Sequence, residues 1–257
     1  MWFERTRILL FQLWVLSYMI FNAKIGLRLA RMRRQGREAE ADAIVERMVT
    51  GWARDLLTTL RCRLEVEGLE HIPRGEAFVV YANHQSQYDI PALLVGLDRA
   101  IGFVVKRELL WIPGLSFWMR QIQCHFIDRK DIGGGARSLR ELAADLKRHR
   151  RGFIIFPEGT RTRDPQRAVQ PFRRGAIRLA AEEDLPVLPV TIDGTRLLEV
   201  QAARAATQHG GRLVRIRIDP LRRVPGTSAP VRRQFVDELY ETIRSNWEAI
   251  RVEWPAL

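Results

Sequence analysis

Apolar residues between positions 8 and 23 run almost unbroken, with only Gln12, Ser17 and Asn22 interrupting a series of Ile, Leu, Phe, Trp and Met. The run covers about 16 residues, short of the roughly 20 that a helix crossing the hydrocarbon core needs. Next come Ile44, Met48, Trp52, Leu56 and Leu60 at a spacing of four, with Asp42, Glu46, Arg47 and Arg54 elsewhere, which predicts an amphipathic helix. From residue 62 the period changes to two: Cys62, Leu64 and Val66 alternate with Arg63, Glu65 and Glu67, the pattern of a half-buried strand. Further β-like runs fall at 78–82, 101–105, 125–127, 153–156, 187–192 and 214–218. Helical patterns fill gaps between them at 90–95, at Leu139, Leu142, Ala143 and Leu146, and at 176–181. Val231, Phe235, Leu239, Ile243 and Trp247 recur every four residues and predict a last amphipathic helix. Strands alternating with helices require crossover connections, so the expected class is α/β, a largely parallel mixed sheet flanked by helices.

The change of period divides the chain into an N-terminal helical segment, 1–61, and an α/β domain, 62–257. The favoured reading of the first segment is a hairpin, hinged near Gln35-Gly36, that lies on or dips into one leaflet of a membrane. A single tilted span and an amphipathic stripe packed on the main domain are the competing readings. No small-residue cleavage site separates the apolar run from the arginines that follow, which argues against a signal peptide.

The net charge of +12 is the one unusual global value and implies attraction to polyanions. Its placement narrows the choice. Arg28, Arg31, Arg33, Arg34 and Arg37 follow directly on the apolar run, the pattern of a segment facing an anionic membrane surface. The positive-inside rule would put the domain that follows on the cytoplasmic side. No recognition helix, zinc finger or RNP-like signature accompanies the charge, so nucleic acid is not the expected partner. Cys62 and Cys124 are far apart and form no C-x-x-C pair, so neither a zinc site nor a disulfide framework is expected.

Candidate chemistry collects at strand ends. Asn83-His84-Gln85-Ser86-Gln87-Tyr88-Asp89 follows the run 77–82 and precedes a helical pattern, so it occupies the carboxyl end of a strand, where open α/β sheets place ligands. Across that turn Asp89 could hold one imidazole nitrogen of His84 while the other faces a substrate, as a general base requires. Ser86-x-x-Asp89 is equally a capping box, in which Asp89 only serves the helix start. A second strand end, 153–156, runs into Pro157-Glu158-Gly159-Thr160-Arg161-Thr162-Arg163, and a third carries Phe126-Ile127-Asp128-Arg129. Glycine permits close backbone approach and the arginine fork suits phosphate oxygens, although Arg129, Arg161 and Arg163 could each be a solvated surface charge. Gly133-Gly134-Gly135 matches no nucleotide-binding loop, and Gly114-Leu115-Ser116-Phe117-Trp118 lacks the second glycine of a nucleophile elbow.

Taken in order, four blocks resemble the glycerophospholipid acyltransferases, and within them the 1-acyl-sn-glycerol-3-phosphate acyltransferases of bacterial membranes. They are Asn83-His84-Gln85-Ser86-Gln87-Tyr88-Asp89, matching N-H-x-S-x-x-D; Phe126-Ile127-Asp128-Arg129, matching F-I-x-R; Phe156-Pro157-Glu158-Gly159-Thr160-Arg161, matching F-P-E-G-T-R; and Leu188-Pro189-Val190. The resemblance covers about residues 62 to 195. One departure is Ile122-Gln123-Cys124-His125, where the family usually places a glycine before F-I-x-R. The resemblance implies acyl transfer from acyl-CoA or acyl carrier protein to the free hydroxyl of lysophosphatidic acid at the cytoplasmic face of the inner membrane. It further implies His84 as general base, Asp89 as its partner, Arg129 and Arg161 on the acceptor phosphate with Lys106 as a weaker candidate, Glu158 on a glycerol hydroxyl, and Gly159 and Thr160 beside them. No metal and no cofactor beyond the acyl donor is implied. The rival readings are another lysophospholipid or lyso-ornithine lipid as acceptor, a thioester hydrolase, and a non-enzymatic polyanion-binding module.

Overall fold

The structure, a computed structural model, describes residues 17, 23–112, 114–127, 135–162, 169–204 and 212–251. In chain order the elements are α1 (Ala23–Arg34), α2 (Glu38–Thr59), β1 (Cys62–Glu67), β2 (Phe78–Ala82), α3 (Asp89–Gly96), β3 (Gly102–Lys106), α4 (Leu115–Gln121) and β4 (His125–Ile127). They continue with α5 (Gly135–His149), β5 (Gly152–Ile155), α6 (Arg178–Glu182), β6 (Val187–Asp193), α7 (Thr195–Arg204), β7 (Arg212–Ile218) and α8 (Ala229–Ile250). Among the described residues one seven-stranded sheet forms in the order β1-β7-β6-β2-β5-β3-β4. Every neighbouring pair is parallel except β6 and β7. The expected mixed, largely parallel α/β sheet is therefore what the chain builds.

Period-two alternation sorts side chains to two apolar layers. Phe78, Val80 and Ala82 of β2 enter one core with residues of α2, α3, α4 and α7. Val79 and Tyr81 enter the other, with residues of α5, α6 and α8. Both faces of β2 are thus covered and all five of its residues are buried, as a continuous apolar run on a central parallel strand requires. Strand β7 differs: Val214, Ile216 and Ile218 are buried, while Arg215 and Arg217 alternate with them and lie partly open.

The strand order reverses direction at the centre. Chain leaving β2 goes to β3 on one side, and chain leaving β5 goes to β6 on the other, although β2 and β5 are neighbours. The register Tyr81↔Ile155 and Ala82↔Val190 brings the carboxyl ends of β2 and β5 level, with β6 running on beside the loop that leaves β2. The loops beginning at Asn83 and Phe156 thus leave the sheet side by side at a switch point, where doubly wound sheets open a crevice.

Helices α1 and α2 are a pair joined by a turn at Gln35-Gly36, with Gly36 at φ +73°, and do not supply the expected membrane hairpin, whose first arm would be the apolar run 8–23. The second helix of the pair is part of the domain's core. Ala41, Val45, Val49 and Ala53 are buried with Leu93 and Leu94 of α3 and Leu97 just beyond it, while of the predicted stripe Ile44, Met48, Trp52 and Leu60 are only half-buried on the flank and Leu56 is buried. Small residues let two helices approach closely, so the contact face sits one residue beyond the bulkier stripe. No helix among the described residues is long and apolar enough to cross a membrane. The apolar run 8–23 lies outside the described residues except for Ser17 and Ala23. Helices α4 and α7 were not apparent in the sequence; both are short and begin at a glycine-containing turn.

Candidate active site

Asn83 shows how the chain leaves the sheet without breaking its hydrogen bonding. One residue past the last β2–β6 pair, its side chain takes over from the backbone: Nδ2 donates to Ile192 O at 2.9 Å and Oδ1 accepts from Ile192 N at 2.9 Å. The backbone is thereby released to turn at His84 while β6 remains satisfied. A second tie crosses to the neighbouring loop, where Thr162 N donates to His84 O at 2.9 Å.

Within that turn His84 Nδ1 lies 2.7 Å from Asp89 Oδ2. An ionised carboxylate only accepts, so Nδ1 carries the proton and Nε2 presents its lone pair. The ring stacks on Phe156, with centroids 4.0 Å apart and planes 15° from parallel, which fixes its orientation. The His84 side chain keeps 19% exposure and that of Asp89 has none, so the pair is anchored inside and open on the imidazole face. Asp89 Oδ2 also accepts from Gln85 N at 2.7 Å and Ser86 N at 3.0 Å. The two readings of Asp89 thus describe one carboxylate: it satisfies the turn's backbone and holds the imidazole. The capping box itself is half formed, because Ser86 Oγ accepts from Tyr88 N at 3.0 Å rather than from Asp89 N.

Glu158 lies buried beneath the His84 turn. It is 3% exposed, Oε1 accepts from His84 N at 2.9 Å, and Oε2 meets no hydrogen-bond partner among the described residues. Burial pushes its carboxyl up to about 8, against the pull of the His84 and Gln170 backbone amides, with the Asp89 charge adding to the rise. At neutral pH Glu158 is therefore largely protonated. A carboxyl raised in the folded state stabilises the fold while it holds its proton, and that contribution is lost as pH climbs from the ordinary carboxylate range towards about 8. Glu158→Gln, neutral throughout and still able to accept from His84 N–H, should gain on wild type in melting temperature between about pH 5 and pH 8. A pH-independent offset between the two proteins would mean that Glu158 ionises normally.

Gly159 adopts φ +68°, and a Cβ there would lie 2.5 Å from Arg173 Nε, so the space the glycine leaves is filled by Arg173. Arg173 Nε in turn donates to Glu158 O at 3.2 Å. Thr160 is exposed, and the half-exposed Arg161 has Nη1 3.8 Å from Glu199 Oε1 on α7. Lys106 ends β3, at the carboxyl edge shared with β2 and β5, and its side chain lies outside what is described. Arg129, Asp128 and Arg163 lie outside the described residues. No group of three or more His, Cys, Asp or Glu with metal-binding geometry occurs among the described residues.

An apolar cavity of about 100 Å³ lies between α2, α3, β3 and α4, walled by Met48, Trp52, Leu94, Phe103, Trp118 and Met119. Ile90, next to Asp89, also lines it, so the cavity reaches the first turn of the helix that carries the carboxylate. Thr195, Asp193 and Gln85, which form hydrogen bonds around Asp89, were missed in the sequence. The only signal was Asp193-Gly194-Thr195 at the end of a strand, a turn like many others.

Comparison with known proteins agrees with this geometry. The profile of the family described as Acyltransferase matches residues 63–193, half of the chain. The mouse 1-acyl-sn-glycerol-3-phosphate acyltransferase alpha is 35% identical over 157 residues, 60% of this chain and 53% of that protein. The 1-acyl-sn-glycerol-3-phosphate acyltransferase of Saccharomyces cerevisiae is 28% identical over 185 residues, 69% of this chain and 60% of the relative. The chain thus spans about half the length of the curated mammalian relatives it matches. A crystal structure of the 1-acyl-sn-glycerophosphate acyltransferase PlsC from Thermotoga maritima superposes with a TM-score of 0.71 at 28% identity, covering 95% of this chain and 98% of that one. With its family profile running from the first strand to the sixth, across both loops of the site, the chain belongs to the acyltransferase family.

Proposed function

We propose that the protein is a 1-acyl-sn-glycerol-3-phosphate O-acyltransferase, which moves a fatty acyl group from acyl-CoA or acyl carrier protein to the sn-2 hydroxyl of lysophosphatidic acid, giving phosphatidic acid. The observation that carries the reading is the His84–Asp89 pair at 2.7 Å, open on the Nε2 side, with no hydroxyl or thiol of the described residues hydrogen-bonded to Nε2. A triad lacking its own nucleophile suits a substrate alcohol in that role. Burial pushes the thiols of Cys62 and Cys124 up to about 11 and about 12, so neither is a thiolate at neutral pH.

His84 Nε2 takes the proton of the acceptor hydroxyl as its oxygen attacks the thioester carbonyl. Asp89 steadies the imidazolium, and collapse of the tetrahedral intermediate returns the proton to the leaving thiolate. The net exchange is one ester for one thioester, and it needs no cofactor beyond the donor. Arg161, Lys106 and Arg129 are assigned to the acceptor phosphate, all at or following carboxyl ends of parallel strands. An acyl chain laid in the apolar cavity beside Ile90 would run past the base. Incubation with labelled oleoyl-CoA and lysophosphatidic acid tests the reading: labelled phosphatidic acid supports it, free fatty acid would identify a thioester hydrolase, and no turnover a binding module.

The N-terminal segment is proposed to hold the enzyme on anionic lipid at the cytoplasmic face of the inner membrane, where a lysophospholipid acceptor resides. Arg28, Arg31 and Arg34 are exposed beside Leu27, which is 78% exposed. Arg33 and Arg37 contribute less than their number suggests, since Asp42 and Glu40 pair with them at 3.0 and 2.7 Å. Full-length protein should float with anionic vesicles at low salt and release at high salt, because attraction to a charged surface is screened. Flotation with neutral vesicles as readily as anionic ones would remove the electrostatic part of this proposal.

A further inference from the structure

Asp89 is fully buried, and the donors His84 Nδ1, Gln85 N and Ser86 N converge on one of its oxygens, Oδ2. Oδ1 is buried with it, and a buried carboxylate oxygen without a donor is costly. The hydroxyl of Thr195, first residue of α7, donates to it. We propose that Thr195 is a positioning residue for the acyl transfer, holding Asp89 by Oδ1 so that Oδ2 stays aligned on His84 and the carboxylate stays charged as the imidazolium forms. The inference rests on the proposed general-base reaction.

The chain is shaped to make this contact. Between β6 and α7, Gly194 takes φ +94°, and a Cβ there would lie 2.3 Å from Leu213 O, so only glycine turns the backbone back at this point. The turn delivers Thr195 twice to the loop after β2: its hydroxyl reaches Asp89, and its carbonyl accepts from Ser86 Oγ at 3.1 Å. Gln85 braces the same spot. Its Nε2 donates to Asp193 Oδ1 at 2.6 Å, and its Oε1 lies 3.3 Å from Thr195 Oγ1. Trp247 Nε1 of α8 also donates to Asp193 Oδ1, at 2.8 Å. A threonine hydroxyl has one proton to give, and the charged Asp89 oxygen competes for it better than the neutral amide of Gln85. Thr195, Asp89, Ser86 and Asp193 are all fully buried, so bulk solvent is kept from the hydroxyl's place.

Without that hydroxyl the Asp89 carboxylate is less stabilised as an anion and the His84–Asp89 pair takes up a proton more readily. Activity would then fade at a higher pH on the acid side. Other ionisable groups face the pair: Glu158 from the loop after β5, through His84 N, and Asp193 from β6, through Gln85. Arg196, whose Nη1 donates to Thr162 O at 2.6 Å, and the Arg161–Glu199 pair stand at the rim. All are the same in every variant below, so they do not enter the comparison.

The experiment compares full-length wild type, Thr195→Val and Thr195→Ser in kcat and KM against pH, with acyl-CoA and lysophosphatidic acid. Thr195→Val, close in shape but without the hydroxyl, should lose kcat by about ten- to a hundredfold, the range for removing an outer partner that orients a functional imidazole. KM should change little for either substrate, the acid limb should move to higher pH, and Thr195→Ser should retain most of the activity and the wild-type limb. A Thr195→Val enzyme with wild-type kcat and an unmoved limb overturns the proposal, as does a Thr195→Ser enzyme as impaired as Thr195→Val. Should Thr195→Val not fold, wild-type protein alone decides: the bond requires a Thr195 hydroxyl proton in slow exchange with water by NMR, and its absence overturns the proposal. A wild-type protein with no acyl transfer but with that protected proton would refute the assigned reaction and leave the contact standing.

Discussion

His84→Ala should lower turnover by about a hundred- to ten-thousandfold, the usual loss when a positioned proton acceptor is removed. The fold should survive, because the interactions that shape the turn are not made by the imidazole. Glu158 accepts from the backbone N–H of residue 84, Thr162 donates to its carbonyl, and Asp89 keeps its Gln85 and Ser86 donors. What is lost is one hydrogen bond and the stacking contact with Phe156, about 1–2 kcal/mol together. The measurement is single-turnover acyl transfer beside thermal melting on the same preparation. Near-normal turnover in a folded His84→Ala protein would end the general-base assignment. A large loss with wild-type KM for both substrates would support it, since a base acts on the transition state and not on binding.

The backbone plan was legible in the sequence wherever side-chain period reflects what covers a strand. Strands β2, β5 and β6 are buried on both faces and show as short apolar runs, whereas β1 and β7 show alternation because one face is open to charge. The His84–Asp89 pair was legible because both partners sit in one short turn. Its support was not: Thr195 and Asp193 lie more than a hundred residues further along the chain, and only the pairing of β2 with β6 brings them to Asp89. Glu158 was legible as part of a motif, but its bond to the backbone of residue 84 was not, since a motif tells which residue is present and not which way a strand-end turn aims it. The N-terminal helices show a different limit. Amphipathic spacing reports that one face is covered, and it reports the same whether lipid or protein covers it. In α2 the covering is α3, along Ala41, Val45, Val49 and Ala53.

Asp89→Asn should separate the charge of the carboxylate from its hydrogen-bonding geometry more cleanly than in most triads. Replacing the carboxylate of a triad by an amide usually turns the amide nitrogen towards the histidine, which reverses the tautomer and costs about 10⁴-fold. Here three donors, His84 Nδ1, Gln85 N and Ser86 N, converge on Oδ2, and an amide nitrogen there would face two backbone N–H groups that cannot accept. The amide oxygen is therefore held at that position and the nitrogen falls at Oδ1, facing the Thr195 hydroxyl. A hydroxyl can accept, and Gln85 Oε1, 3.3 Å from Thr195 Oγ1, stands ready to accept the Thr195 hydroxyl proton that residue 89 no longer takes. The turn is satisfied, the tautomer of His84 is kept, and only the negative charge is gone. The expected loss in kcat is on the order of a hundred- to a thousandfold, the scale of one missing electrostatic contact to a developing charge. Melting temperature should change little. The pH profile carries the decisive sign: without the neighbouring charge His84 gives up its proton more easily, so the acid limb should move to lower pH, opposite to the shift expected for Thr195→Val. A limb moved to higher pH, or a drop in melting temperature as large as the drop in rate would suggest, would show that Asp89 acts here as the keystone of the turn and not as the counter-charge of the base.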